Sequence, residues 1–286
     1  MQFEIPPFTW SMRRREMLQR CPWEYYCHYC GSAGGAFINE NTPEAERTHL
    51  LRTACSADEY VRRIIFSRIR ELFNSGASAA GNFCAGLEET FRKDFQNMLW
   101  GKPALDHKKP LLYELVSSTI PPQQIAEKVL NLLRSEASLL FPETLPALLS
   151  VPVETRILLP YPLKVCWNAL DCYVTPVAAW LDEKGFSFLC AGKESEENSA
   201  LLFFYALTQF NTPPEKVNIF HFDRWQIRPA ERVLSTSAPF RRIRQDSDGM
   251  LMLELKLKSG KAPEQLFPPS RGNCANCRFA SLCFEE

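Results

Sequence analysis

The feature that most constrains this chain is a set of cysteines near its C-terminus. Asn273-Cys274-Ala275-Asn276-Cys277 followed by Cys283 gives the spacing C-x-x-C-x-x-x-x-x-C. The short loop turns two thiolates toward one metal centre, and the third returns within reach. Zn²⁺ and a cubane iron–sulfur cluster both usually take four ligands, so a fourth must come from elsewhere. Cys21, Cys27 and Cys30, at the other end of the chain, are the candidates. Cys27-His28-Tyr29-Cys30 is itself a C-x-x-C, and pairing it with Cys274 and Cys277 makes a Cys₄ zinc site instead. Either pairing requires the two ends of the chain to meet.

The compartment expected for the chain favours ligation over disulfides. Met1-Gln2-Phe3-Glu4-Ile5-Pro6-Pro7 lacks the basic and apolar regions of a signal peptide. No uncharged apolar stretch reaches the roughly 18 residues of a spanning helix. A cytosolic, cytoplasmic protein with no membrane partner is therefore expected, where eleven cysteines serve as metal ligands or as small buried apolar residues. Acidic and basic residues balance at 33 each, so no overall field announces a nucleic-acid partner and any such argument rests on local patches.

Hydrophobic periodicity predicts a helix from Ser11 to about Tyr29, with Ser11 as N-cap and Pro22 bending it or marking a junction. A second helix is expected from about Ala57 to Phe73, and residues 83 to 150 read as mostly helical, interrupted at Pro103, Pro110, Pro121-Pro122 and Pro142. The pattern changes at Val151. Val153 to Leu159, Lys164 to Val174, Val177 to Leu181 and Phe186 to Ala191 read as strands, followed by a helix from about Ser199 to Phe210 and a strand from Val217 to Phe222. A last helix is expected around Pro239 to Leu257. The order predicts an α/β (α+β) fold with a mixed sheet packed by helices. The expected single domain divides into N-terminal helices with the first cysteine (1–74), a helical insertion (75–150), a sheet core (151–222) and a C-terminal helix with the cysteine motif (223–286).

Phe8-Thr9-Trp10-Ser11 through Cys21-Pro22-Trp23-Glu24-Tyr25-Tyr26 resembles the opening of RecB-like PD-(D/E)XK nucleases. There a serine-capped helix ends in a cysteine, a proline and paired aromatics. Members of that superfamily, among them the AddB-type and CRISPR-adaptation nucleases, also end in C-x-x-C-x-x-x-x-x-C, and their two ends together hold a [4Fe–4S] cluster. The resemblance implies that Cys21 is the fourth ligand beside Cys274, Cys277 and Cys283, with Cys27 and Cys30 at positions where the family tends to have aromatics. It also implies the PD-(D/E)XK restriction-endonuclease-like core, with Leu163 to Asp171 resembling the strand that delivers the first catalytic aspartate and Pro214 to Ile219 the later helix-to-strand passage.

These enzymes hold Mg²⁺ or Mn²⁺ with two carboxylates, and a lysine two residues after the second orients the water. Here Asp171 fits the first carboxylate and Lys193 the lysine, but Ala191 stands where the second carboxylate belongs. Phe66 replaces an early-helix histidine and Leu201 a glutamine, while Tyr205 of that later motif remains. Glu154 and Glu197 are the carboxylates that rescue a metal site if one has migrated. An Asp171–Lys193 ion pair without catalysis is the simpler expectation, since an unpaired aspartate on a core strand is costly.

Arg13-Arg14-Arg15 with Arg20, Arg62-Arg63 with Arg68 and Arg70, and Arg241-Arg242 with Arg244 form basic clusters on predicted helices, and Trp10, Trp23, Tyr25 and Tyr26 are candidates for stacking on bases. The expected function is a cluster-bearing nuclease-fold protein, impaired in catalysis, that binds DNA or a helicase-type partner in repair or defence. An active Mg- or Mn-dependent exonuclease or endonuclease and a zinc-stapled interaction protein without a nucleic-acid role are the alternatives.

Overall fold

The computed structural model describes residues 8–31, 43–76, 83–100, 110–117, 120–192, 194–230, 237–270, 272, 274 and 277–283. At the N-terminus, β1 (Thr9–Ser11) runs into α1 (Met12–Arg20), and Ser11 Oγ accepts the Arg14 N–H at 3.2 Å as the expected cap. The helical stretch expected to about Tyr29 breaks at Pro22, one of the two outcomes expected there, and is three pieces. Cys21 is extended (φ −156°), α2 (Pro22–Tyr25) restarts with proline at its first position, and a π-turn covers Tyr26–Cys30. Pro22 has no N–H to continue α1, so the junction falls on Cys21 and swings its thiol off the helix axis.

Next come α3 (Pro43–Thr53), β2 (Ala54–Cys55) and α4 (Ala57–Ser75). Ser56 and Glu59 form a reciprocal capping box at the start of α4, and Gly76 ends it at φ +72°. The region expected to be helical contains α5 (Phe83–Trp100), a short β3 (Leu111–Leu112) paired in parallel with β2, then α6 (Tyr113–Ser117), α7 (Pro122–Leu140) and α8 (Thr144–Leu149). Pro103 lies outside the described residues.

The strand expected at Val153–Leu159 does not form. Residues Val153–Thr155 make a 3₁₀ turn, and Arg156 alone bridges to Trp180 while its guanidinium donates to the carbonyls of Phe73, Leu149 and Val151. Lys164 to Val174 is a hairpin of β4 (Leu163–Trp167) and β5 (Leu170–Val174), joined at Asn168 and Ala169, both at positive φ. β1 adds in parallel to β5. A second sheet, in the order β6 (Pro176–Asp182), β7 (Gly185–Cys190), β8 (Val217–Asp223) and β9 (Gln226–Pro229), pairs antiparallel, parallel and antiparallel. Its parallel step is bridged by α9 (Glu196–Phe210), capped by Ser195. α10 (Ser237–Lys258), α11 (Pro263–Leu266) and α12 (Ala280–Cys283) complete the chain. The expected α+β class, mixed sheets flanked by helices, is what forms. Among the described residues no helix is long and apolar enough to cross a membrane.

The period-two pleat of β7 sorts side chains to two cores. Leu189 joins a cluster with α4, α5, α7 and α8, while Phe186 and Phe188 join one with α1, α9, α10 and the C-terminal tail. The tail enters the second core through two fully buried rings, Phe267 and Phe279. Phe267 stacks on Tyr25 and Tyr26, with centroids 6.0 and 5.5 Å away. Phe267→Ala should cost about 3–5 kcal/mol, the usual loss for a buried aromatic. Urea denaturation measures that loss, and limited proteolysis should show cleavage moving into the segment after Lys258.

Candidate functional site

Cys21, at the α1–α2 junction, and Cys274, Cys277 and Cys283 line one small cavity whose wall also includes Glu24, Pro269, Ser270 and Ala280. Short-range turns present the tail thiols: Cys277 N–H donates to the Cys274 carbonyl and Ala280 N–H to that of Cys277, each at 3.1 Å. The Ser270 N–H points at Cys21 Sγ, 3.4 Å away, and Cys274 Sγ lies 3.7 Å from the Ser270 carbonyl. Glu24 is buried in the same wall, and both its oxygens accept from Arg20, at 2.9 and 2.6 Å. Arg278 ties the tail to the start of α4 through the Ala54 carbonyl and the Glu59 carboxylate.

Burial, then the neighbouring Cys277, Cys21 and Cys274, push the Cys283 thiol up to about 11, and burial, with Glu24, Cys21 and Cys274 close by, raises Cys277 against the lowering effect of the Phe279 N–H. Those two thiols thus resist ionising, and a bound cation removes that resistance. Among the described residues no group of three or more cysteine, histidine, aspartate or glutamate side chains is placed to hold a metal ion. The donor types that line the cavity, four cysteines with a backbone N–H directed at one sulfur, are those of a thiolate-ligated centre. Cys27 and Cys30 are buried among aromatics and do not line the cavity. Burial holds the Cys30 thiol up at about 12, and its charged neighbours are Glu254, Arg14 and Arg52 rather than the tail cysteines. Cys27, by contrast, stands within electrostatic reach of Cys283, Cys277 and Cys21, although it does not line the cavity.

The nuclease-like positions lie on several elements. Asp171, on β5, is ion-paired to Lys164 of β4 at 2.6 Å. The expected partner, Lys193, lies outside the described residues. Ala191 packs against the first core, Leu201 is fully buried in the second, and Tyr205 contacts the rings of Phe188 and Phe210. Phe66 contacts Phe222 and Trp225 at 5.3 and 5.2 Å. Glu154, expected on a strand, is exposed on the 3₁₀ turn.

Glu197, expected to be a solvated surface residue if not a metal ligand, is buried in the first turn of α9. One oxygen accepts from Arg15 at 2.9 Å and Arg242 at 2.5 Å, and the other from Ser195 at 3.0 Å. Those bonds leave it no open face for a metal. Arg15 also reaches Asp246, so α1, α9 and α10 are joined through one charge network.

The basic cluster on α1 is correspondingly reduced as a nucleic-acid surface. Arg13 is exposed, but Arg15 turns to Glu197 and Arg14 is buried against Glu254 and Tyr25. Trp10, Tyr25 and Tyr26 are buried too, and Trp23 packs on Tyr26 at 5.0 Å. Sequence reading missed these inward turns because the partners lie on α9 and α10. The signal it had was only the acidic residues on those helices.

No protein-family model, curated protein or solved structure matches the chain.

Glu197 also gives a pH signature. Burial pushes its carboxyl up, but the bonds from Arg242, its own backbone N–H, Ser195 and Arg15 outweigh that and leave it below the usual range. A carboxyl lowered in the folded state contributes stability that is present above its unfolded value of about 4.3 and is lost as pH falls through the folded value. Glu197→Gln should therefore cost about 2–3 kcal/mol at neutral pH. Urea midpoints at neutral and acid pH should show the gap to wild type narrowing on the acid side.

Proposed function

We propose that this chain is a RecB-like nuclease-fold protein in which Cys21, Cys274, Cys277 and Cys283 hold a [4Fe–4S] cluster. We propose further that it has lost phosphodiester hydrolysis and serves as a binding component of a DNA repair or defence assembly. The observation that carries the reading is the contrast between the two candidate centres. Four thiols from opposite ends of the chain line one cavity. The positions matching the catalytic set hold Phe66, Ala191 and Leu201, none of which can ligate a metal.

When bound, the cluster supplies iron–thiolate bonds that cross-link the chain ends. The chain's own groups prepare that closure. Phe267 and Phe279 bury the tail, the Ser270 N–H offers a hydrogen bond to the Cys21 sulfur, and Arg20 holds the Glu24 carboxylate in the cavity wall. Mg²⁺ or Mn²⁺ finds no comparable preparation. Asp171 is neutralised by Lys164, Glu197 by two arginines, and Glu154 stands exposed on a turn. No hydrolytic step follows from such a set, because a hard cation with one carboxylate is weakly held and poorly oriented.

Anaerobically purified protein should carry roughly four irons per chain and absorb broadly near about 400 nm, the region of sulfur-to-iron charge transfer. Cys277→Ser should lose both, and a colourless, zinc-loaded protein would refute the cluster. Labelled single- and double-stranded DNA incubated with Mg²⁺ or Mn²⁺ should be cut no faster by wild type than by Asp171→Ala. Cleavage that this substitution abolishes would instead establish an active nuclease.

A further inference from the structure

A second concavity, of about 540 Å³, opens against the other core, where α4 and α7 meet the β8–β9 turn. Its floor is aromatic. Phe66, Phe222 and Trp225 are in mutual ring contact, with centroids 5.2 to 5.9 Å apart, and Leu139 beside them is 56% exposed. Its rim carries two exposed guanidiniums, Arg62 and Arg224, neither of which makes an ion pair among the described residues.

The turn that builds one wall is unusual. Asp223 pairs with Gln226, so Arg224 and Trp225 form a two-residue hairpin loop, and both are at positive φ, 45° and 69°. Asparagine and glycine normally fill such a turn, and a bulky residue there is strained. The Trp225 indole secures it, 5% exposed, with its N–H donated to Glu136. Glu136 is thereby engaged, and the turn holds Arg224 and Asp223 at the mouth of the cleft. Backbone of this kind persists where the surroundings over-determine it, and such positions cluster at ligand clamps.

We infer that this cleft binds a phosphorylated nucleoside. An aromatic floor takes the face of a planar base, as aromatic side chains do for every base. Two guanidiniums at the rim match the fork geometry of a phosphate. Asp223, at the turn beside Arg224, is the acceptor that a sugar hydroxyl requires. An unbranched fatty acid has no use for the stacked rings, and an uncharged aromatic has none for the arginines. Of the two carboxylates in the lining, Glu136 is held by the Trp225 indole, which leaves Asp223 as the acidic group at the mouth. The inference is argued from this cleft's own side chains and not from the cysteine centre, although Phe66 and Gly192, the neighbour of Ala191, set it beside positions that the nuclease resemblance assigns to the catalytic set. Its ligand has two sources: a free nucleotide, or the 5′-phosphorylated end of a strand.

Titration calorimetry on the full chain in the presence of EDTA separates these. The probes are AMP, adenosine, inorganic phosphate, and a short oligoadenylate with and without a 5′-phosphate. AMP or the phosphorylated oligonucleotide should bind roughly tenfold or more tightly than its unphosphorylated counterpart, the effect of charge-assisted bonds to phosphate. Arg62→Ala and Arg224→Ala, both at exposed positions, should each remove most of that advantage. Phe66→Leu should weaken AMP and adenosine alike. Arg63→Ala, exposed next to Arg62 but outside the cleft, should change nothing. Tighter binding of the phosphorylated oligonucleotide than of AMP assigns the strand end, and the reverse assigns the free nucleotide. Affinity that ignores the phosphate, or that falls as much in Arg63→Ala as in the two cleft variants, overturns the inference.

Discussion

The placement of the chain's ends depends on one buried cation. The Arg14 guanidinium donates to the Tyr25 hydroxyl at 2.9 Å, to the Thr9 carbonyl at 3.0 Å and to the Glu254 carboxylate, while Tyr25 donates to the same carboxylate at 2.9 Å. The rings of Phe8 and Tyr29 lie 4.4 and 4.6 Å from its carbon centre. Burial alone lowers the affinity of such a group for its proton. Tyr25 and Glu254 more than restore it, and Arg14 stays above the usual arginine value. A charge taken out of water is tolerated only where its partners are complete. β1, α2 and α10 must therefore stand in one arrangement around α1. That arrangement fixes Cys21 at the α1–α2 junction relative to the end of α10, from which the chain runs through Phe267 to the tail cysteines. The cavity lined by four thiols is a downstream consequence of this closure.

Much of the scaffold was legible because its causes are local. Ser11 caps α1, Pro22 divides it, and β-branched and aromatic runs from Val177 to Leu189 form strands where expected. The misreadings share a cause as well. Val153 to Leu159 has strand composition, but Arg156 anchors its backbone to three carbonyls and leaves it one bridge instead of a ladder. Asn168-Ala169 turns the chain without a glycine, and so does Arg224-Trp225. Nothing in the local sequence announces either turn, since what stabilises them is tertiary: pairing of β4 with β5, and the seat of the indole against Glu136.

The charged residues divide by the same criterion. Arg13, Arg14 and Arg15 are indistinguishable in sequence, yet only Arg13 faces solvent. Glu254 lies 240 residues from Arg14, and Glu197 and Asp246 are similarly remote from Arg15, so a run that reads as one basic face is an exposed residue beside two internal anchors. With net charge zero and Arg14 and Arg15 neutralised inside, any nucleic-acid affinity must come from other surfaces, such as the exposed Arg62 of α4 and Arg224 of the β8–β9 turn.

On the proposed reading, the persistence of the thiols and the loss of the carboxylates have one physical origin. A hydrolytic centre gathers like charges in partly desolvated surroundings and lowers the stability of the fold that carries it. Alanine at position 191 and phenylalanine at position 66 remove that cost, and both side chains now pack against the first core. The cysteine centre has the opposite sign. Its residues sit where two remote segments meet, so exchanging one for an apolar residue leaves the remaining thiols crowded without joining the ends. A chain relieved of catalysis thus gains by filling its active cleft with apolar side chains and loses by dismantling its clamp.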